Sequence, residues 1–365
     1  MLKHVMCVFG TRPEAIKMCP LVKVLQSRVD AFRTTVVVTG QHNEMLHQVL
    51  TVFGVMPDYD LAIMKQGQTL FEVTNKVLFG LKEVLEKELP DVVLVHGDTT
   101  TSFAAALACF YLRIPVGHVE AGLRTYDTLN PWPEEFNRQA VDSVSDYMFA
   151  PTETAKQNLI SEGKRQSRIW ITGNTGIDAL HTTVHEEYRH EYLDWAEGSR
   201  LILVTAHRRE NLGEPMHRMF RAIRNVMESH PDTKAIYPVH LNPLVREAAQ
   251  AELSGFDRLR LIEPLEVVDF HNFLARSYLV LTDSGGIQEE APSLGIPVLV
   301  MRDTTERPEG VKAGTLKLVG TTEQGIAREF EKLLDDTATY TIMSHASNPY
   351  GDGHSSERIA KILAV

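Results

Sequence analysis

Three carboxylates, Asp98, Glu120 and Glu134, stand where an acid or a base would be useful. Asp98 and Glu120 come just after the β-branched runs Val92–His96 and Val116–Val119, and Glu134 opens a helix behind Asn130-Pro131-Trp132-Pro133. Several carboxyl groups brought together are suited to proton transfer, because crowding and burial raise the pKa of some and leave others ionised. Each alone has a plainer reading, since acidic residues at a first helical turn are common caps. A second set suits anions. Thr282-Asp283-Ser284-Gly285-Gly286-Ile287-Gln288-Glu289-Glu290 ends a strand and opens a helix. Its glycines let the backbone approach a ligand, and the N–H groups and dipole of a helix start attract phosphate. Ser284-Gly285-Gly286 is either that cradle or an ordinary N-cap turn. Glu290, about one turn on, either accepts two ribose hydroxyls or is a solvated helix residue. Arg12 and Lys17, in Gly10-Thr11-Arg12-Pro13-Glu14-Ala15-Ile16-Lys17, follow a strand where Pro13 suits the first helical turn; they either bring positive charge to a diphosphate or, for Lys17, mark one more solvated lysine. His207-Arg208-Arg209-Glu210-Asn211 offers arginine forks for phosphate oxygens, or a surface salt-bridge cluster.

Other chemistries are excluded by spacing. No Gly-x-Gly-x-x-Gly follows the first strand, and no Gly-x-x-x-x-Gly-Lys-Ser/Thr occurs, so neither dinucleotide fingerprint nor P-loop is present. His181, His185 and His190 share one helical stretch without carboxylate support, and no metal is expected. Cys7, Cys19 and Cys109 form neither a Cys-x-x-Cys pair nor an even set. A reducing, cytoplasmic setting suits them best.

The elements that must position these residues follow one repeating pattern. Apolar β-branched runs alternate with longer stretches of helical periodicity. Strands are expected at His4–Phe9, Thr34–Thr39, Val92–His96, Val116–Val119 and Tyr147–Ala150. A second series is expected at Leu201–Thr205, Lys234–Val239, Leu259–Glu263, Leu279–Thr282 and Val298–Met301. Helical spacing marks Thr69–Leu89, Glu214–Ser229 and Thr322–Leu334. Such alternation predicts an α/β protein of two doubly wound, Rossmann-like domains with parallel sheets covered on both faces. Residues 1–172 form the first and 173–352 the second, with a C-terminal helix at 353–365 returning to the first. Polar and glycine residues follow nearly every strand, and ligands of open α/β sheets sit at that edge. A cleft between the domains is therefore the expected site.

Length and composition set the outer bounds. At roughly 150 residues per domain, 365 residues give about two domains. An apolar share of 43% and a charged share of 23% exclude disorder and coiled coil as the main architecture. A net charge of −11 argues against nucleic acid and anionic lipid as partners. The longest apolar run, Phe103–Leu112, falls well short of the roughly 18 residues a membrane span needs.

Taken together, the motifs Gly10–Lys17, His96–Thr101, His118–Arg124, Pro131–Arg138, His207–Asn211, Thr282–Glu290 and Met301–Pro308 resemble one family over essentially the whole chain. It is that of the non-hydrolysing UDP-N-acetylglucosamine 2-epimerases. The resemblance implies the glycosyltransferase-B fold, a homodimer, no cofactor, and reversible epimerisation of UDP-N-acetylglucosamine to UDP-N-acetylmannosamine in polysaccharide biosynthesis. The reaction it implies eliminates UDP to give 2-acetamidoglucal and then adds UDP back. Matched position by position, Asp98, Glu120 and Glu134 are the acid/base carboxylates. Arg12, Lys17, His207, Ser284, Gly285 and Gly286 lie near the diphosphate, His207 belonging to both the catalytic and the nucleotide-binding sets. Glu290 is the ribose ligand, and Arg138 is a member of the Pro-Glu-Glu motif. Gln41 and His240 match a second, activating UDP-N-acetylglucosamine site. Glu44 stands where the family form has Gln, and Gly67 where it has Arg, so weak or absent activation is expected. A glycosyltransferase of the same fold, a hydrolysing epimerase and a non-catalytic nucleotide-sugar sensor are the competing readings.

Overall fold

The computed structural model describes the chain except residues 1, 41, 42, 64, 66 and 306 and the side chains of Asn43 and Glu44. The chain forms two compact units, residues 1–182 with 350–365, and residues 183–349. In the first unit β1 (Lys3–Phe9), β2 (Phe32–Val38), β3 (Tyr59–Asp60), β4 (Val92–His96), β5 (Val116–Val119), β6 (Tyr147–Ala150) and β7 (Ile169–Ile171) form one sheet. Its order is β3-β2-β1-β4-β5-β6-β7, and every pairing is parallel. In the second unit β8 (Arg200–Thr205), β9 (Thr233–Pro238), β10 (Leu259–Ile262), β11 (Leu279–Thr282), β12 (Val298–Val300) and β13 (Leu316–Leu318) give the order β10-β9-β8-β11-β12-β13, also parallel.

Near-continuous apolar strands require cover on both faces, and each sheet has it. All of β4 is buried. Val93, Leu94 and Val95 are fully buried, each such side chain stabilising the fold by about 1.5–3 kcal/mol relative to exposure. On one face of the first sheet, Val73, Val77 and Leu81 from the helix Leu70–Glu88 share a core with Ala104, Ala105 and Ala108 from the helix Thr100–Leu112. The second unit has its own core of Met219, Phe220, Ile223, Tyr237 and Phe330. No helix among the described residues is long and apolar enough to cross a membrane.

The strands that the sequence pattern omits are β3, β7 and β13. They are two or three residues long and lie at sheet edges, where one flank stays unpaired and little apolar patterning is required. The polar stretch after Asn174 also differs from expectation. It divides into two helices, Thr175–Thr183 and Glu191–Ala196. Most of the former belongs to the first unit. Asp178 on it accepts hydrogen bonds from the backbone N–H groups of Ser355 and Ser356 at 3.3 and 2.6 Å. This anchors the C-terminal helix Ser355–Leu363, which packs on the helix Arg12–Ser27.

Candidate active site

Each sheet has one topological switch point, between β1 and β4 in the first and between β8 and β11 in the second. There the connections diverge to opposite sides and leave a crevice at the carboxyl edge. Several of the predicted site residues, among them Arg12, Asp98, His207 and Ser284, lie in the turns or helix starts that follow these four strands.

In the first unit the turn after β1 is built for close approach. A Cβ on Gly10 would lie 1.9 Å from the Thr39 hydroxyl, so no larger residue fits. Thr11 caps the helix Arg12–Ser27 in a capping box with Glu14. The buried Glu14 carboxylate accepts from the Gly10 and Thr11 amides at 2.9 and 2.7 Å, and from Thr99 and Ser102 hydroxyls at 2.6 and 3.0 Å. It thereby ties the turn after β1 to the turn after β4. Burial pushes its carboxyl up, and these hydrogen bonds oppose the shift.

A pocket of about 340 Å³ opens beside these turns, lined by Pro13, Lys17, His96, Asp98 and Glu120 among others. Lys17 forms an ion pair with Glu120, whose carboxylate also accepts from Asn174 Nδ2 at 3.0 Å. Glu120 has φ +70°, a left-handed conformation that costs a non-glycine residue of order 1–3 kcal/mol and tends to occur at functional sites. Asp98 forms an ion pair with Arg138, and its carbonyl accepts from Asn137 Nδ2 at 2.9 Å. Glu134, the first residue of the helix Glu134–Val144, is half-buried. Among the described residues no hydrogen bond or ion pair joins it to Asp98 or Glu120. Its neighbour Glu135 is fully buried and holds the Thr125 and Tyr126 amides at 3.0 Å each. Arg12 is half-buried at the helix start.

Behind the carboxylates runs a buried chain of ionisable groups. His118 Nδ1 faces Asp142 Oδ1 at 2.6 Å and His118 Nε2 faces the Gly97 carbonyl at 2.8 Å. Arg124 pairs with Asp142 at 2.7 Å and with Glu162 at 2.6 Å. Burial pushes the Asp142 carboxyl up, but His118 and Arg124 outweigh it and leave the group below the usual carboxylate range. Both His118 ring nitrogens thus face acceptor oxygens, one of Asp142 and one of the Gly97 carbonyl. The chain holds the Gly97 carbonyl and, through Asp142 Oδ2, the Gly122 amide at 3.3 Å. It fixes the two turns that present Asp98 and Glu120.

In the second unit Asp283 organises the switch point. It is fully buried and accepts from the His207 and Arg208 amides at 3.0 and 2.9 Å and from Asn211 Nδ2 at 3.0 Å. His207 Nδ1 lies 3.4 Å from the same carboxylate. Burial lowers the His207 pKa, and Asp283 opposes the shift. The His207 ring stacks on His240, centroids 5.5 Å apart. The Ser284 amide donates to Thr282 Oγ1 at 2.9 Å, and the Ser284 carbonyl accepts from Gln288 Nε2 at 3.0 Å. Gly286 precedes the helix Ile287–Ser293. Glu290 on that helix reaches His271 Nε2 at 3.7 Å. Gln41 lies outside the described residues. Gly67 has φ +70°, with open space where a side chain would stand.

Glu14, His96, Asp142 and Asp283 were not singled out as site residues from sequence. Asp283 and His96 do sit at strand ends, the signal that marked the others. No group of three or more His, Cys, Asp or Glu side chains among the described residues is arranged for a metal.

Two parallel doubly wound units with polar switch points define the two-domain Rossmann-like class, of glycosyltransferase-B type. Within that class, residues 25–364 match the family model described as UDP-N-acetylglucosamine 2-epimerase, and the chain belongs to that family. It is 58% identical to a Bacillus subtilis UDP-N-acetylglucosamine 2-epimerase over 98% of this chain and 94% of that one. A Neisseria meningitidis UDP-GlcNAc 2-epimerase solved bound to UDP-GlcNAc is 48% identical, with a TM-score of 0.90 and 99% of each chain covered. The Methanocaldococcus jannaschii enzyme, solved with UDP-GlcNAc and UDP, is 34% identical, with a TM-score of 0.81 and 99% of each chain covered.

Proposed function

We propose that the protein interconverts UDP-N-acetylglucosamine and UDP-N-acetylmannosamine by elimination and re-addition of UDP, without releasing the sugar. The observation that carries this reading is the pair of neighbouring, differently partnered carboxylates at one strand edge, Glu120 on Lys17 and Asp98 on Arg138. One carboxylate takes the proton from sugar carbon 2, the C–H electrons form the carbon 1–carbon 2 double bond, and the carbon 1–oxygen bond breaks with UDP leaving as the anion. UDP then returns to carbon 1 while a carboxyl group, Glu134 included in the set, protonates carbon 2 from the other face. Two groups in complementary states suit that reversal. Arg12, His207, Ser284, Gly285 and Gly286 stabilise the departing diphosphate and hold it for return. No redox cofactor enters this chemistry. The three cysteines are buried and unpaired, which suits the cytoplasmic setting; the working form in this reading is a homodimer. Chromatography of the products from UDP-N-acetylglucosamine alone tests the reading: UDP-N-acetylmannosamine supports it, and N-acetylmannosamine with UDP as the main products contradicts it.

The nucleotide assignments carry their own prediction. Glu290→Ala is expected to weaken UDP binding by about 1.5–3 kcal/mol, the range for a hydrogen bond to a charged group. Calorimetry showing unchanged affinity in a folded variant rules out the ribose role. Activation by UDP-N-acetylglucosamine is expected to be weak or absent, because Gly67 supplies no cation for a second diphosphate. In the reverse reaction, a long lag abolished by a trace of UDP-N-acetylglucosamine contradicts this.

A further inference from the structure

His96, the last residue of β4, is 4% exposed and lines the same pocket as Glu120. Its Nε2 is buried without a hydrogen-bond partner. A buried polar atom left unmatched costs stability, and in this position it points to a partner present only during the reaction. Nε2 stands 3.9 Å from Glu120 Oε2, while Lys17 is paired with the other carboxylate oxygen, Oε1. The two oxygens of Glu120 are therefore unlike: one faces a cation, the other an imidazole nitrogen.

The charge state of that imidazole follows from its surroundings. Burial drives the His96 pKa down to about 3, Glu120 opposes this, and Lys17 and His118 add to it. His118 lies on the neighbouring strand β5, in register with Val95, while His96 is in register with Val119. Burial is the main cause that keeps the His96 ring neutral. The Nε2 lone pair of a neutral ring and an ionised carboxylate repel, which fits a separation beyond hydrogen-bond range. Once Glu120 carries a proton, the same two atoms attract.

We propose that His96 is a positioning residue for proton transfer at Glu120, its neutral ring accepting a hydrogen bond from Glu120 Oε2–H after the carboxylate has taken the carbon 2 proton. This rests on the reading of Glu120 as a proton-transfer group. It directs the proton to Oε2, away from the Lys17 side, and holds it until re-addition. The C–H bond breaks, the O–H bond forms, and His96 itself gains no proton.

Paired substitutions and a spectrum test this. His96→Leu removes the acceptor; His96→Gln keeps an acceptor oxygen near the Nε2 position. With wild-type epimerisation as the reference, His96→Leu is expected to lower kcat about 10- to 100-fold, with KM within about threefold. His96→Gln is expected to recover most of that loss. Nitrogen-15 NMR of the wild type is expected to show His96 Nε2 unprotonated between pH 6 and 9. Wild-type kcat in His96→Leu, equal losses in both variants, or a protonated Nε2 overturns the proposal, and the spectrum decides even if a variant fails to fold. A wild type that does not epimerise at all overturns the reading of the site instead.

Discussion

Asp98→Asn, Glu120→Gln and Glu134→Gln are each expected to lower turnover by about 10²–10⁴-fold, the usual contribution of a general acid or base. An amide keeps the shape of the carboxyl group and loses its capacity to move a proton. For Glu120 the effect includes the lost charge partner of Lys17. For Asp98 it includes that of Arg138. UDP affinity is expected to change far less, since most of the groups assigned to the nucleotide belong to the second unit. Turnover measured alongside calorimetric UDP binding checks both parts. Glu134 is the discriminating case, because nothing ties it to the other two in the described structure. Near-normal turnover in Glu134→Gln reduces the acid–base set to Asp98 and Glu120.

Asp142→Ala is expected to destabilise the first unit by about 3–5 kcal/mol, the cost of removing one partner from a buried ion pair. Asp142 is fully buried against His118 and Arg124, and the alanine leaves His118 Nδ1 without its carboxylate and Arg124 with Glu162 as its remaining ion-pair partner. The Gly97 and Gly122 turns lose their common anchor, so activity should fall with stability. Because the chain has two compact units, one overall unfolding free energy is a poor readout. Amide exchange in β4 and β5 reports on the first unit directly. Protection there equal to the wild type contradicts the expectation, and protection in β8 and β11 serves as the internal control.

Much of this arrangement is legible in the sequence, and the limits have physical causes. The strands β4, β5, β6 and β11 are readable residue for residue because they lie inside their sheets and are buried along nearly their whole length, which demands a mostly apolar run. The edge strands β3, β7 and β13 escape because pairing on one side imposes little pattern. Motif positions such as Asp98 and Ser284-Gly285-Gly286 announce themselves at strand ends. Glu14 and Asp142 do not, because their importance comes from which amides, hydroxyls and cations converge on them after folding; Asp283 does sit at a strand end, but its hold on the His207 and Arg208 amides appears only in the fold. Glu134 and Glu135 show the same limit at one-residue resolution. The helix phase set behind Pro133 turns Glu135 inward to hold a loop and leaves Glu134 half-buried, a distinction two adjacent glutamates do not encode by type. The helix Thr175–Thr183 joins the first unit because Asp178 holds the C-terminal helix, a contact between residues far apart in the chain.

Proton NMR of the protein with UDP-N-acetylglucosamine in heavy water tests the central claim most directly. Elimination at carbon 2 discards the original hydrogen to a carboxylate and returns one that has exchanged with solvent. The account predicts that UDP-N-acetylmannosamine forms with deuterium at carbon 2, and that the recovered UDP-N-acetylglucosamine acquires it as the reaction equilibrates. An epimer that forms with its carbon 2 hydrogen retained contradicts the account, because a carbon 2 proton that never leaves its carbon cannot have been taken up by Asp98, Glu120 or Glu134.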